Sequence, residues 1–134
     1  MRTLAAILQD ELATVRELLA VCRQEQEYFL TDDLEGIQAI TVPKADLARR
    51  LAELEQERQQ ALEATAPGAV AAQGEEAEGE VAELRSALKQ AVEELQEVNE
   101  TNRLLARQSL AYIQKLLSLL APDGQMPASV DRTV

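Results

Sequence analysis

The chain has 134 residues, which suits one domain, and 46% of them are hydrophobic, so a core can form. Only three residues are aromatic (Tyr28, Phe29 and Tyr112), so that core must be built from Leu, Ala, Val and Ile. The formal net charge of -11 repels nucleic-acid phosphates and anionic membrane surfaces, which sets aside DNA, RNA and lipid head groups as partners.

Strong helix formers (Ala, Leu, Glu, Gln and Arg) fill most of the sequence, and no β-branched stretch alternates with period two, so the expected fold class is all-α. From Leu4 to Leu30 apolar residues recur at helical spacing, with Leu8, Val15, Cys22 and Phe29 seven apart; this predicts a first helix over about 3–30. Asp32, with Glu35 three residues on, reads as a capping box for a short extra helix over 32–40, although Gly36 lies inside it. Pro43 then suits the first turn of a further helix, capped by Thr41 and running over 43–64 with Leu47, Leu51, Leu54 and Leu62. Residues 66–79 hold three of the five glycines and a glutamate cluster, and read as a flexible acidic linker.

The last predicted helix, over 80–120, carries an unbroken heptad seam, expected to face the protein's own core, that includes Val81, Leu88, Leu95, Asn102, Ser109, Tyr112, Leu116 and Leu119. A helix of about 40 residues is roughly 60 Å long. It cannot cover itself, so the two upstream segments are expected to pack along it. Pro122 and Gly124 end it, and 122–134 read as a disordered tail. The expected architecture is a single helical domain over 1–121, an elongated, coiled-coil-like antiparallel three-helix bundle whose middle arm breaks near Thr41.

Catalysis has little to stand on, and no enzyme activity is expected. The sequence has no histidine, no Gly-rich phosphate loop and no Cys/His spacing for zinc, so neither a cofactor nor a metal is expected. Cys22 is alone and falls on an apolar stripe, which reads as a core position rather than a nucleophile. Asp32, Asp33 and Glu35 could hold a hard cation, but acids are favoured at a helix start in any case, and capping is the stronger reading. No leading apolar stretch is long enough for a signal peptide or a spanning helix, so a cytoplasmic location without membrane insertion is expected.

The functional signal lies between Leu104 and Leu120, where eleven of 17 residues are hydrophobic and the charges are Arg107 and Lys115. A bundle helix needs only about three apolar residues in seven. Beside the seam runs a second stripe of Ala106, Leu110, Ile113, Leu117 and Leu120. One stripe can face the protein's own core; the surplus one fits an amphipathic partner helix laid into a groove. Asn102 interrupts the seam. It reads either as a register device or, with Asn99 three residues earlier, as the mark of a specific surface.

Three segments together resemble the FlgN family of flagellar export chaperones: Glu25-Gln26-Glu27-Tyr28-Phe29-Leu30; Asp33 to Ile40 followed by Lys44 and the stretch from Leu47 to Arg58; and Asn99-Glu100-Thr101-Asn102-Arg103-Leu104-Leu105. The resemblance covers about Leu4 to Gln125. It implies a bacterial cytoplasmic chaperone that binds the C-terminal amphipathic helices of the hook–filament junction proteins, FlgK and FlgL. Such a chaperone prevents premature assembly and delivers its cargo to the type III export apparatus. The implied cargo-binding residues are Asn99, Asn102, Leu105, Leu110, Ile113, Leu117 and Leu120, on a monomer or weak dimer. One departure is the turn after the last helix, Leu120-Ala121-Pro122-Asp123-Gly124-Gln125, which lacks the aromatic that family members often have. The alternative is a structural or adaptor coiled coil that homodimerises through its C-terminal helix. A lipid-coating protein is disfavoured, because its helices would need a cationic polar face.

Overall fold

The computed structural model describes residues 2–64 and 74–120, and among them there are three helices and no strand. The first, α1, runs Leu4–Leu30 as the apolar spacing predicts. Thr3 caps it: its backbone is extended and its Oγ1 accepts the Ala6 N–H at 3.2 Å, satisfying one of the first-turn donors that lack an intrahelical partner. The far end closes in a Schellman motif. The Asp33 N–H donates to the Tyr28 carbonyl at 2.9 Å and the Asp32 N–H to the Phe29 carbonyl at 3.4 Å, with Asp32 in the left-handed region at φ 54°.

Asp33 then caps the second helix, α2 (Leu34–Ala64), its Oδ1 accepting the Gly36 N–H at 2.9 Å. The expected capping box of Asp32 and Glu35 is therefore corrected: Asp32 is committed to ending α1, and its neighbour starts α2. The two aspartates should respond oppositely to substitution. Asp32→Gly relieves a left-handed residue of its Cβ and is expected to stabilise by about 0.5 kcal/mol after the added unfolded-state freedom is counted. Asp33→Ala loses a cap and is expected to destabilise by about 1 kcal/mol. Urea denaturation of each variant reads the sign.

The same turn explains Gly36. A Cβ there would stand 2.5–2.7 Å from the Tyr28 ring, so glycine lets the end of α1 lie directly on the start of α2. The middle arm does not break near Thr41. Instead of a short helix over 32–40 and another over 43–64, α2 is continuous, with Pro43 inside it. Proline there removes the bond to the Ala39 carbonyl. Ala39 and Pro43 are both exposed, so water can take that carbonyl. On the packed side, Ile40, Leu47, Leu51 and Leu54 carry the same face across the proline.

The third helix, α3 (Gly74–Leu120), begins inside the segment expected to be linker. Glutamate and alanine dominate its first two turns and are good helix formers, so Gly74 and Gly79, at about 1 kcal/mol each, are tolerated in a 47-residue helix. The rest of the expected linker, 66–73, and the expected tail, 122–134, lie outside the described residues.

α1 is the central helix, correcting the expectation that both upstream segments pack along α3. Its buried residues form two interleaved rows at helical spacing, Ile7–Glu11–Thr14–Leu18–Glu25, with half-buried Val21 between the last two, and Leu8–Leu12–Val15–Leu19–Cys22. Two rows allow two neighbours: α2 and α3 both lie along α1 and, among the described residues, scarcely touch each other. Pairing of Glu11 with Arg58 and of Glu25 with Lys44 sets α2 antiparallel to α1. Pairing of Gln9 with Glu80 and of Arg23 with Glu94 sets α3 parallel to it. Leu12 and Val15 meet Ala91 in the core, with Leu51, Leu84, Leu88 and Leu95 packed around them.

Candidate functional site

Where the three helices converge near the end of α1, a polar knot fixes their register. Asn102 of α3 is 2% exposed. Its Nδ2 donates to the Cys22 carbonyl at 2.8 Å and to Glu25 Oε1 at 3.0 Å, and Lys44 Nζ of α2 donates to the same Glu25 oxygen at 3.0 Å. Both partners of the Asn102 amide are acceptors, which sets its orientation, and its own Oδ1 is left buried without a partner. Sliding α3 by one residue would strand the amide against apolar side chains. This favours the register reading of Asn102 over the surface reading. Asn102→Ala is expected to destabilise by about 2 kcal/mol, because a charge-assisted bond inside the protein is lost; thermal denaturation checks it.

Beyond this knot no other described helix accompanies α3. Helix α1 has 27 residues and α3 has 47. Arg23 lies against Glu94, and Asn102 bonds to Cys22 and Glu25, so the last turn of α1 ends opposite the stretch just after Asn102. The α3 residues from about Arg107 to Leu120 therefore project past the turn between α1 and α2, a length of roughly 20 Å at 1.5 Å per residue. Helix continues there without a new nucleation step, since it grows from a packed segment.

The overhang is apolar and uncovered. Leu110 is 56% exposed, Ile113 45%, Tyr112 64%, Leu119 73% and Leu120 78%. Leu105, at the base, and Leu117 are half-buried. Of the expected binding residues, Leu110, Ile113, Leu117 and Leu120 thus share one projecting segment, with Leu105 at its base. Asn99 is exposed but lies below it, on the flank of the bundle. Asn102 is corrected: it faces α1 and offers no free surface. Sequence reasoning missed Leu116 and the pair Tyr112 and Leu119, which it assigned to the protein's own core. The signal that could have found them is length, because no other described helix reaches high enough to cover the seam beyond Ser109.

The remaining chemistry is quiet. Cys22 is buried, and burial pushes its thiol pKa up, only partly opposed by Lys44, so it stays a neutral core residue as expected. Among the described residues no group of His, Cys, Asp or Glu is placed to hold a metal ion. No described helix is long and apolar enough to cross a membrane. Along residues 101–120 the charges are Arg103, Arg107 and Lys115, with no acid, whereas the whole chain carries 24 acids against 13 bases. The uncovered end is therefore the basic end of an acidic protein.

Comparison with known proteins agrees with this picture. The family model described as FlgN protein matches residues 1–127, nearly the whole chain. Neither the comparison with curated proteins nor that with solved structures gave a match. A helical bundle with a family match over that length places the molecule: the chain belongs to the FlgN protein family, a family of flagellar chaperones rather than of enzymes.

Proposed function

We propose that this chain is a cytoplasmic flagellar type III export chaperone. On this reading it captures the C-terminal amphipathic helices of hook–filament junction proteins of the FlgK and FlgL kind, and hands them to the export apparatus. The observation that carries the reading is the uncovered apolar overhang of α3, in a chain of this family. Its contact residues are Leu105, Leu110, Ile113, Leu117 and Leu120 on the overhang, with Asn99 beside the approach. Asn102 acts behind them, by holding α3 in register.

The mechanism is substitution. Cargo helices that would pack on one another in the filament pack on the overhang instead, so their apolar faces stay covered and monomeric until export. Removing apolar surface from water supplies the free energy, at roughly 25 cal/mol per Å². Light scattering of a FlgK-like junction protein with and without the chain tests the reading. Suppressed self-association and a mixed complex are expected. Unchanged self-association, with this chain folded and alone in its own peak, would remove the chaperone assignment.

A further inference from the structure

Within this protein α1 shows how one helix holds two neighbours: two interleaved buried rows, one of them apolar and the other mixed, each covered by a separate helix. The end of α3 carries two such rows with neither neighbour present among the described residues. One row is Leu105, Ser109, Tyr112, Leu116 and Leu119; the other is Ala106, Leu110, Ile113, Leu117 and Leu120. At about 100° per residue the two rows together span roughly 180° of the helix surface, whereas one packed neighbour needs a stripe of about 100°. Each outer border is basic. Arg103 and Arg107 flank the row that holds Leu110, while Lys115 stands between Tyr112 and Leu119 on the border of the other. Arg107 and Lys115 have no ion-pair partner among the described residues, and Arg103 reaches only Glu100 of its own helix, at 3.7 Å.

We propose that the overhang is the central helix of a second, mixed three-helix bundle. It receives two amphipathic helices from one partner chain, each with acidic side chains along the border that meets Arg103 and Arg107 or Lys115. This deepens the chaperone reading and rests on it. Charge argues for such a partner over a second copy of this chain. Each copy carries a net -11, and pairing two overhangs sets basic border against basic border.

The test uses the whole chain and an intact FlgK-like junction protein as probe. Leu110→Asp with Leu117→Asp disables the outer edge of one row; Tyr112→Asp with Leu119→Asp disables the opposite edge. These edges lie too far apart around the helix for a single neighbour to touch both. The residues project beyond the bundle, so circular dichroism should be unchanged in both variants. Each pair is expected to weaken binding about a hundredfold. Loss with one pair only means a single docked helix, and overturns the two-helix proposal while leaving the chaperone reading in place. Loss with neither pair overturns both. A cargo-free dimer that either pair dissociates makes a second copy the occupant, and overturns the proposal as well.

Discussion

Replacing Leu110 and Leu117 with aspartate is expected to weaken cargo binding at least about a hundredfold while leaving the fold intact. Leu110 is 56% exposed and Leu117 half-buried, so each has surface to lose to a partner. Half of a full leucine burial, at the upper end of its range about 1.5 kcal/mol for each residue, gives about 3 kcal/mol for the pair. Every 1.4 kcal/mol is tenfold in affinity, so the loss exceeds a hundredfold. Aspartate adds a charge that must be desolvated against an apolar neighbour, which widens the loss. Stability should barely move, because neither residue belongs to the core around Leu12, Val15 and Ala91. Titration calorimetry and thermal denaturation of the same sample separate the two effects.

Arg58→Ala is expected to destabilise the bundle by about 3 kcal/mol near neutral pH. Glu11 is 3% exposed in the row of α1 that meets α2, and Arg58 Nε stands 2.9 Å from its Oε1. The contact lies off the hydrogen-bonding axis, so it is a charge pair without a well-directed bond. Burial raises the Glu11 pKa above the ordinary glutamate range, and Arg58 only partly offsets this. Removing the cation leaves a buried, unpaired carboxylate, a change that typically costs about 3–5 kcal/mol; water reaching the half-exposed Arg58 position trims the figure. Because the folded-state pKa is raised, the Glu11 contribution to stability is fully present below the unfolded pKa. It is lost as pH rises through the folded pKa. The Arg58→Ala defect should therefore shrink as pH falls through that raised value, when the carboxyl takes up a proton. Glu11→Met with Arg58→Leu removes the charges together and should return stability to the starting level or above. Denaturant titrations at pH 7 and pH 5 test the sign.

Much of this molecule could be read in advance, and what could not has a common cause. The spacing of Leu8, Val15 and Cys22 placed α1, and the unbroken seam from Val81 placed α3, because amphipathic periodicity is a local signal. Cys22 was legible as a core residue for the same reason. Pro43 misled, since proline penalises a helix locally but exposure and a continuous packed face outweigh it. Gly36 and Asp32 were ambiguous until the Tyr28 ring and the left-handed turn were in view. The surplus of apolar residues at the end of α3 was visible, but its division between core and surface was not. That division depends on where α1 ends relative to α3, which is a register fixed by Asn102, Cys22 and Glu25 across the two helices. Asn102 illustrates the point: as sequence it looked like half of a binding motif, and in the fold it is the pin that sets where the apolar end of α3 projects.

The central claim is that the end of α3 captures cargo helices through apolar burial. Calorimetric titration of this chain with the C-terminal helical segment of a FlgK-like junction protein, repeated at several temperatures, tests it most directly. Saturable binding near one chain to one cargo, with a negative heat-capacity change, is the predicted result. Absence of binding, by a folded chain that runs as a dimer through the same overhang, would contradict the account and make that surface a self-interface.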